Sequence, residues 1–253
     1  MDIITANVTC NWNTFLSANT FITHAGMLYE KIKLQKPDII AFQEIVPESL
    51  EFLRTACPDY DFFGQFRSAE FDTEGLYTAI RKDTYDVTAF EAFWISPTPY
   101  IPGSRFPEQS ECPRVCIVTD VRNRKTGERL RVFNVHLDHI SDNARKLGIE
   151  CVLSFMEDYH KKNPLPVVLL GDFNAAPDTI VIEACEQFGP VKLVDLTKQL
   201  DCTFHNYGSA QLKIDYIFTS EDLAKRFQTA YLWDDEKCGM YLSDHYPVGI
   251  TLD

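Results

Sequence analysis

Carboxylates, carboxamides and one imidazole stand at the ends of short hydrophobic runs in this sequence, which is where sheet proteins place reactive groups. Four such patches are Phe42-Gln43-Glu44, Gly171-Asp172-Phe173-Asn174, Lys213-Ile214-Asp215-Tyr216 and Ser243-Asp244-His245. Oxygen donors of these types suit a hard cation such as Mg²⁺, and an imidazole beside them can move a proton or contact a charged oxygen. The combination predicts a metal-assisted site for a phosphate group.

Each patch taken alone also has an ordinary structural explanation. Asn7, at the end of the first strand-like run, is typical of a turn, and Asp172 is a suitable helix cap. Asp215 could be a buried carboxylate satisfied by backbone amides, and His245 a hydrogen-bonded structural histidine. Glu44 is harder to explain in this way, because it follows a wholly apolar run and therefore stands at the mouth of a core.

Composition predicts a globular protein with a substantial core. The chain has 253 residues, 45% of them hydrophobic and 24% charged, with no repeat or linker, so one domain spanning residues 1–253 is expected. Met1-Asp2 leads directly into a strand-like run, without a basic segment or a long apolar stretch. We therefore expect a cytoplasmic monomer without membrane insertion; a leader already removed from the sequence is the alternative.

Cysteine usage and charge restrict the partners. The eight cysteines lack the paired spacing of a zinc site, and we interpret them as reduced, buried thiols, with disulfides as the alternative. The net charge of −13 repels a long polyanion at a distance, which disfavours a processive nucleic-acid enzyme without excluding long nucleic acid. A small phosphate ester still fits, because a bound divalent cation inverts the local potential.

Hydrophobic periodicity, helix caps and breakers predict the elements that position these patches. Helices are predicted from Asn19 or Thr20 to Lys36, over Glu48–Cys57, over Asp142–Lys162 and from Pro177 to about Gln187. Strands are predicted over residues 3–8, 39–42, 60–66, 76–81, 85–93, 116–122, 130–137, 167–170, 193–194, 214–218, 230–232 and 248–252. A polar loop is predicted over residues 9–17, and the proline-rich residues 95–113 are predicted to form a long ordered loop of the kind that often carries function.

The order of the motifs resembles that of the endonuclease/exonuclease/phosphatase family, which includes DNase I-like nucleases, inositol polyphosphate phosphatases, sphingomyelinases and deadenylases. The resemblance runs from residue 3 to residue 252 and rests on Asn7, Gln43-Glu44, His136-x-Asp138, Gly171-Asp172-x-Asn174, Asp215 and Ser243-Asp244-His245. It implies an α+β fold, a four-layer α/β/β/α sandwich of two packed, mostly antiparallel sheets flanked by helices, with the site at one end. Val135-His136-Leu137-Asp138-His139 and Thr203-Phe204-His205 are similar to a bacterial-type branch whose substrates vary.

The resemblance implies that Glu44 is a ligand of Mg²⁺ or Mn²⁺, with Asn7 and Asp244 close to the metal. Whether one metal or two are bound stays open. A second metal would use Asp172 and Asn174. With one metal, Asp172 would act as a base or orient the attacking water, and Asn174 would hold that water or a phosphate oxygen.

The histidines receive roles from the same resemblance. His245 would donate to a phosphate oxygen or act as a base, and Asp215 would fix its tautomer and raise its pKa. A structural salt link is the alternative for this pair. His136 is expected to contact the phosphate near the scissile bond.

Arg114, which follows the proline-rich loop, is the candidate phosphate clamp, with an ordinary surface ion pair as the alternative. Arg105, Asp138, His139, His205 and Trp94 are further candidates for substrate binding at the rim. The predicted function is divalent-metal-dependent hydrolysis of a small or headgroup-type phosphate ester. The alternatives are a nuclease or 5′-tyrosyl-DNA-type phosphodiesterase and an inactive binding module on the same fold; the 37 acidic against 24 basic residues favour the small ester.

Overall fold

Two six-stranded sheets pack face to face in the computed structural model, which describes residues 1–11 and 19–253. Most of the polar loop predicted over residues 9–17 lies outside the described residues. The helices are α1 Phe21–Gln35, α2 Pro47–Ala56, α3 Asp142–Lys162, α4 Ile180–Glu186 and α5 Glu221–Ala224. The strands are β1 Asp2–Asn7, β2 Ile39–Ile45, β3 Tyr60–Phe66, β4 Gly75–Arg81, β5 Tyr85–Trp94, β6 Val115–Asn123, β7 Arg129–His136, β8 Val167–Asp172, β9 Leu193–Asp195, β10 Asp215–Ser220, β11 Phe227–Leu232, β12 Glu236–Lys237, β13 Met240–Tyr241 and β14 Val248–Leu252.

The strand order is β11-β14-β1-β2-β4-β3 in the first sheet and β5-β6-β7-β8-β10-β9 in the second. Neighbours within the two sheets are antiparallel except for the pairs β1–β2 and β7–β8. The predicted four-layer sandwich of mostly antiparallel sheets is therefore confirmed.

Alternation along the central strands creates the layers, because successive side chains of a strand point to opposite faces. On β1, Ile3 joins the core between the sheets, whereas Ile4 packs with Leu28 of α1 on the outer face. On β8, Leu170 lies between the sheets and Leu169 faces the cluster that includes α3. Strands covered on both faces read as continuous apolar runs, which is why they were recognisable in the sequence.

A buried polar bridge joins the two sheets. Gln43 on β2 and Asn134 on β7 are both fully buried, and Gln43 Nε2 donates to Asn134 Oδ1 at 2.8 Å. Asn134 Nδ2 donates in turn to the Phe42 carbonyl at 3.2 Å. The bridge fixes the spacing between the strands that carry Glu44 and His136. Gln43 therefore positions the site residues without lining the site itself.

The predicted elements were found with end shifts of at most three residues, and the short ones were missed. The four-residue helix α5, the β12–β13 hairpin and a 3-10 turn at Asn206–Gly208 are too short to show a period. All eight cysteines are free, but Cys10 and Cys238 are exposed, so the interpretation of the cysteines as buried thiols was wrong for these two. None of the helices in the described ranges is long and apolar enough to cross a membrane.

Candidate active site

A pocket of about 520 Å³ opens at the end of the sandwich where β1, β2, β7 and β8 finish. Most of the residues singled out in the sequence line it: Glu44, Arg114, His136, His139, Asp172, Asn174, Asp244 and His245. Asn7 and Asp215 lie directly behind this wall, hydrogen-bonded to residues that line it. The structure therefore brings side chains from both ends of the chain into one cavity.

Unusual backbone conformations aim two of these side chains. Glu44 has a φ of 60° and falls in a β-bulge of β2, between the paired positions Phe42 and Ile45. Asp172 follows Gly171, whose φ is 142° and whose added Cβ would lie 1.9 Å from the Val135 carbonyl oxygen. Bulges and left-handed residues cost conformational energy and are concentrated at functional sites, because they redirect a side chain that a regular strand would place elsewhere.

Asp172 is the centre of the site. Its Oδ1 accepts from the Asn174 amide at 2.8 Å, and its Oδ2 accepts from Asn7 Nδ2 at 3.0 Å. Nε2 of His136 lies 3.4 Å from the same Oδ2, and Nε2 of His245 lies 3.8 Å from it. Burial, reinforced by the charge of Asp215, raises the pKa of Asp172 to about 7, so this carboxylate is suited to accepting a proton near neutral pH.

His245 forms a charged pair with Asp215. Its Nδ1 lies 2.9 Å from Asp215 Oδ2, and both residues are buried. Burial alone would lower the pKa of His245, but the charge and hydrogen bond of Asp215 and the charge of Asp172 raise it to about 10. The imidazole is therefore cationic at neutral pH, with Nε2 available as a donor on the pocket side.

Glu44 is the carboxylate best placed for a cation. Its Oε1 accepts from Asn7 Nδ2 at 3.0 Å and its Oε2 from the Cys10 amide at 2.8 Å, so it is held at the half-buried edge of the pocket. Burial raises its pKa, but the bond from Asn7 and the charge of His245 outweigh this and lower it, so Glu44 is ionised. Glu74 and Cys10 each place a ligand atom within 4.8 Å of a Glu44 oxygen.

The carboxylates fit a divalent cation that prefers oxygen, since the ionised Glu44 lines the open pocket with the half-buried carboxylates of Glu74 and Asp244 beside it. A second group of ligand atoms, from Asp172, Asp215 and His245, also lies within 4.8 Å. The hydrogen bond between Asp215 and His245 already accounts for the closeness of that group. Glu44 is therefore the better metal candidate on this geometry.

Arg114 lies across the same pocket and forms no ion pair with any described residue. It is 4% exposed, and its Nη2 lies 2.9 Å from His139 Nδ1, whereas its Nε and Nη1 have no hydrogen-bond partner in the described part of the chain. Burial and the charge of Arg114 also hold the pKa of His136 well below 6.5, so His136 is neutral. Unpaired guanidinium donors in a buried wall match the oxygens of a phosphate.

The sequence profile of the endonuclease/exonuclease/phosphatase family matches residues 10–245, almost the whole stretch that carries these side chains. The chain belongs to this family. The resemblance drawn from the motifs is thereby confirmed. Members of this family hydrolyse phosphate esters and generally depend on a divalent metal.

Solved structures of other proteins share the fold over the full length. A mannosyl-6-phosphatase of Bacteroides thetaiotaomicron VPI-5482 is 25% identical, with a TM-score of 0.88 over 100% of this chain and 99% of that chain. A functionally unknown conserved protein of Enterococcus faecalis V583 has the same identity, TM-score and coverage. D. rerio TDP2 complexed with single strand DNA product is 20% identical, with a TM-score of 0.76 over 100% of this chain and 98% of that chain. This likeness concerns the fold alone. No curated protein sequence matches the chain.

Four of the candidates for substrate binding do not line the pocket of this endonuclease/exonuclease/phosphatase member. Asp138 is buried and accepts from the amides of Ser110, Ile140 and Ser141, so it holds two loops together. Arg105 is exposed on the proline-rich loop and pairs with Glu111. His205 is buried and stacks on Tyr246 with ring centroids 4.0 Å apart, and Trp94 is likewise buried, donating to the Arg67 carbonyl at 2.8 Å.

Sequence reasoning missed other residues that line the pocket: Cys10, Arg67, Glu74, Cys112, Arg145, Phe204, Leu212 and Ile214. Arg67 and Glu74 form an ion pair across the loop between β3 and β4. Arg67 comes directly after β3, and Glu44 and Asp172 stand at the ends of β2 and β8. A search for charged residues at strand ends would therefore have found Arg67 too. Phe204 stood within a recognised motif, but nothing in its sequence surroundings predicted that its ring would lie against His245, with centroids 4.8 Å apart.

Proposed function

We propose that the protein hydrolyses small phosphate esters with the help of Mg²⁺ or Mn²⁺ held at Glu44. One observation carries this proposal: a single pocket joins an ionised carboxylate at its edge, a buried carboxylate with a pKa near 7, an imidazolium and a guanidinium with unpaired donors. Together these groups neutralise phosphate oxygens, accept a proton from water and donate to developing charge, which are the tasks of phosphoester hydrolysis.

Asp172 is the proposed base. A carboxylate with a pKa near 7 is partly ionised at neutral pH and strong enough to take a proton from an attacking water. Asn7 and Asn174 fix both of its oxygens, so the carboxylate cannot rotate away. The Asn174 side chain itself donates to the Leu137 carbonyl at 3.1 Å, which supports a role in holding the turn behind Asp172.

His245 is the proposed donor to a non-bridging phosphate oxygen. Its bond to Asp215 sets the tautomer and keeps the ring cationic, so Nε2 carries a proton toward the pocket. His136, neutral and 3.4 Å from Asp172, adds an uncharged donor or acceptor near the same oxygens. Arg114 supplies the fixed positive charge opposite the ester.

Glu44 is the proposed direct ligand of the divalent cation, with Asp244 beside it and Asn7 orienting it through the 3.0 Å bond. The cation, when bound, supplies charge neutralisation for the ester oxygens. Glu44 is aimed into the pocket by the bulge in β2 before any ligand arrives. This preorganisation favours one cation position, at Glu44. No side chains are assigned to a second cation.

A small substrate is favoured by the size and charge of the protein. A cavity of about 520 Å³ accommodates a sugar phosphate or a headgroup, and the net charge of −13 opposes a long polyanion. The mannosyl-6-phosphatase that shares this fold at 25% identity supports the same class. A DNA or tyrosyl-DNA phosphodiester is the second candidate, and an inactive binding module is the third.

Hydrolysis of p-nitrophenyl phosphate and bis(p-nitrophenyl) phosphate, each with Mg²⁺, with Mn²⁺ and with chelator, tests the proposal. We expect metal-dependent release of p-nitrophenol that is lost in the Asp172→Asn variant prepared in parallel, which controls for contaminating phosphatases. Absence of hydrolysis of both esters by the unmodified protein would overturn the proposal in favour of a binding module. Activity that survives the chelator would overturn the metal assignment.

A further inference from the structure

Three arginines line the pocket: Arg67, Arg114 and Arg145. Arg145 pairs with Asp142 and also donates to the Asp138 carbonyl. Arg67, whose side chain is 11% exposed, pairs with Glu74. Arg114 has no carboxylate within ion-pair distance anywhere in residues 1–11 and 19–253, and two of its nitrogens lack any hydrogen-bond partner. A buried guanidinium without a counter-ion is costly, so the wall it occupies is built for an anion.

The guanidinium groups of Arg67 and Arg114 repel one another. Burial and then the charge of Arg67 lower the pKa of Arg114, which remains charged because a guanidinium does not lose its proton in proteins. Glu74 forms its ion pair with Arg67, while its charge and that of Asp172 act on Arg114 from a greater distance. His136 and His139 on the same wall are held neutral by burial and by Arg114, so they add hydrogen bonds without adding charge.

We propose that Arg67 and Arg114 make this site selective for phosphomonoesters over phosphodiesters. The inference rests on the proposed function and names the class of ester. A monoester group carries a charge of about −1.5 to −2 at neutral pH and three terminal oxygens, whereas a diester carries one charge and two such oxygens. Arg114, which has no ion pair among the described residues, matches the additional charge of the monoester, and the N–H donors of Arg67 and Arg114 match its additional oxygen.

The reaction keeps these oxygens throughout. Hydrolysis forms a bond between phosphorus and the water oxygen and breaks the bond to the alcohol oxygen, which gains a proton as the alcohol leaves. The second product is inorganic phosphate, which presents the same terminal oxygens to Arg67 and Arg114. The product is therefore a probe of the arginine wall that requires no turnover.

A matched pair of esters tests the selectivity in the full chain with Mg²⁺. p-Nitrophenyl phosphate and methyl p-nitrophenyl phosphate share a leaving group and differ by one methyl on the phosphoryl group. We expect Arg67→Gln and Arg114→Gln each to lower kcat/KM for the monoester by about 10- to 100-fold and that for the diester by much less, since a charge-assisted hydrogen bond contributes about 1.5–3 kcal/mol. Arg122→Gln, at the far end of β6 and paired with Asp86, is the control and should leave the ratio unchanged.

Calorimetric titration of the unmodified protein with inorganic phosphate and with dimethyl phosphate needs no variant and therefore no assumption about folding. We expect phosphate to bind at least about tenfold more tightly, with the preference lost in Arg114→Gln. Equal binding of the two anions, or equal losses for both esters in the arginine variants, would overturn the selectivity and leave the proposed function intact. Absence of hydrolysis of either ester by the unmodified protein would instead overturn the proposed function.

Discussion

Two arginines associated with β6 and β7 are equally buried and differ completely in their partners. Arg131 and Arg114 are each 4% exposed. Arg131 Nε and Nη2 donate to the two oxygens of Asp120 at 2.6 and 2.7 Å, and its guanidinium lies over the Tyr159 ring, 4.8 Å from the centroid. Within the described residues, Arg114 has one hydrogen-bond contact, to His139, and two of its nitrogens are unpaired.

The difference shows that pairing, rather than burial, separates the structural charges of this molecule from the functional ones. Asp120 and Arg131 are opposite each other on neighbouring strands and satisfy one another. At the pocket, Asp172 and Asp215 share one imidazolium, and Asp172 has a pKa near 7 because of burial and the charge of Asp215. Charges left unbalanced in the free protein are available to a ligand.

Replacement of His245 by Asn should give the largest effect on the functional side of this contrast. The Asn amide can still donate to Asp215, but the cationic Nε2 donor is lost, so we expect turnover of the preferred ester to fall about 10³-fold. Steady-state kinetics with saturating metal measure it. A change confined to KM would make His245 a binding residue only.

Replacement of Arg131 by Met should give the next largest effect. This effect is on the stability of the protein rather than on turnover. Removing one partner of a buried pair leaves Asp120 uncompensated, so unfolding should become about 3–5 kcal/mol easier. Arg114→Met removes a charge that has no partner and should cost less than about 1 kcal/mol or stabilise the protein. Denaturant unfolding in chelator measures both variants, and similar losses for the two would contradict the contrast between the arginines.

The sequence predicted the layers and the convergence of the site, because both depend on local patterns. Central strands buried on both faces read as apolar runs, as in Val167–Leu170, and the reactive residues stand directly at their ends. The long helix α3 has the predicted bounds, since Ser141 caps it by accepting from the Ala144 amide and Pro164 follows it.

The partners of each charged residue could not be predicted, since they come from distant parts of the chain. Asp138 has the same motif context as His136, yet it points into the loop at Ser110, 28 residues away in sequence, instead of into the pocket. Arg67 comes directly after β3, but nothing in the sequence of the loop between β3 and β4 shows that it pairs with Glu74 and lines the pocket. Pairing depends on tertiary packing, and no local pattern encodes it.

Replacement of Glu44 by Gln should reduce metal-dependent activity by about 100-fold and weaken Mn²⁺ binding to a similar degree, because the ionised ligand is lost. Thermal unfolding in chelator should change little, since the single oxygen of the Gln amide can still accept from Asn7 or from the Cys10 amide, and only one of the two bonds is lost. Titration of Mn²⁺ followed by its electron spin resonance signal measures binding apart from turnover. Unchanged Mn²⁺ affinity would assign the cation to other side chains.

The smallest effect expected is a pH dependence of stability that belongs to His245. Burial opposes its charge, but Asp215 and Asp172 outweigh burial and raise the pKa from 6.5 to about 10 on folding. A raised pKa stabilises the folded state fully below pH 6.5, and this stabilisation is lost as the pH rises toward 10. The difference in melting temperature between the unmodified protein and His245→Asn, both in chelator, should therefore shrink by several degrees between pH 7.5 and 10.

The range above pH 7.5 isolates this histidine from its neighbour, because Asp172, with a pKa near 7, has completed most of its own titration there. Asp215→Asn removes the charge that holds the proton on His245, so the same approach of the melting curves should be weaker in that variant. Arg131→Met retains the pocket and should keep the full pH dependence despite its lower stability. Parallel curves for the unmodified protein and His245→Asn would mean that the imidazole is uncharged in the folded state, and that Asp215 and His245 form an ordinary hydrogen bond rather than the charged half of the site.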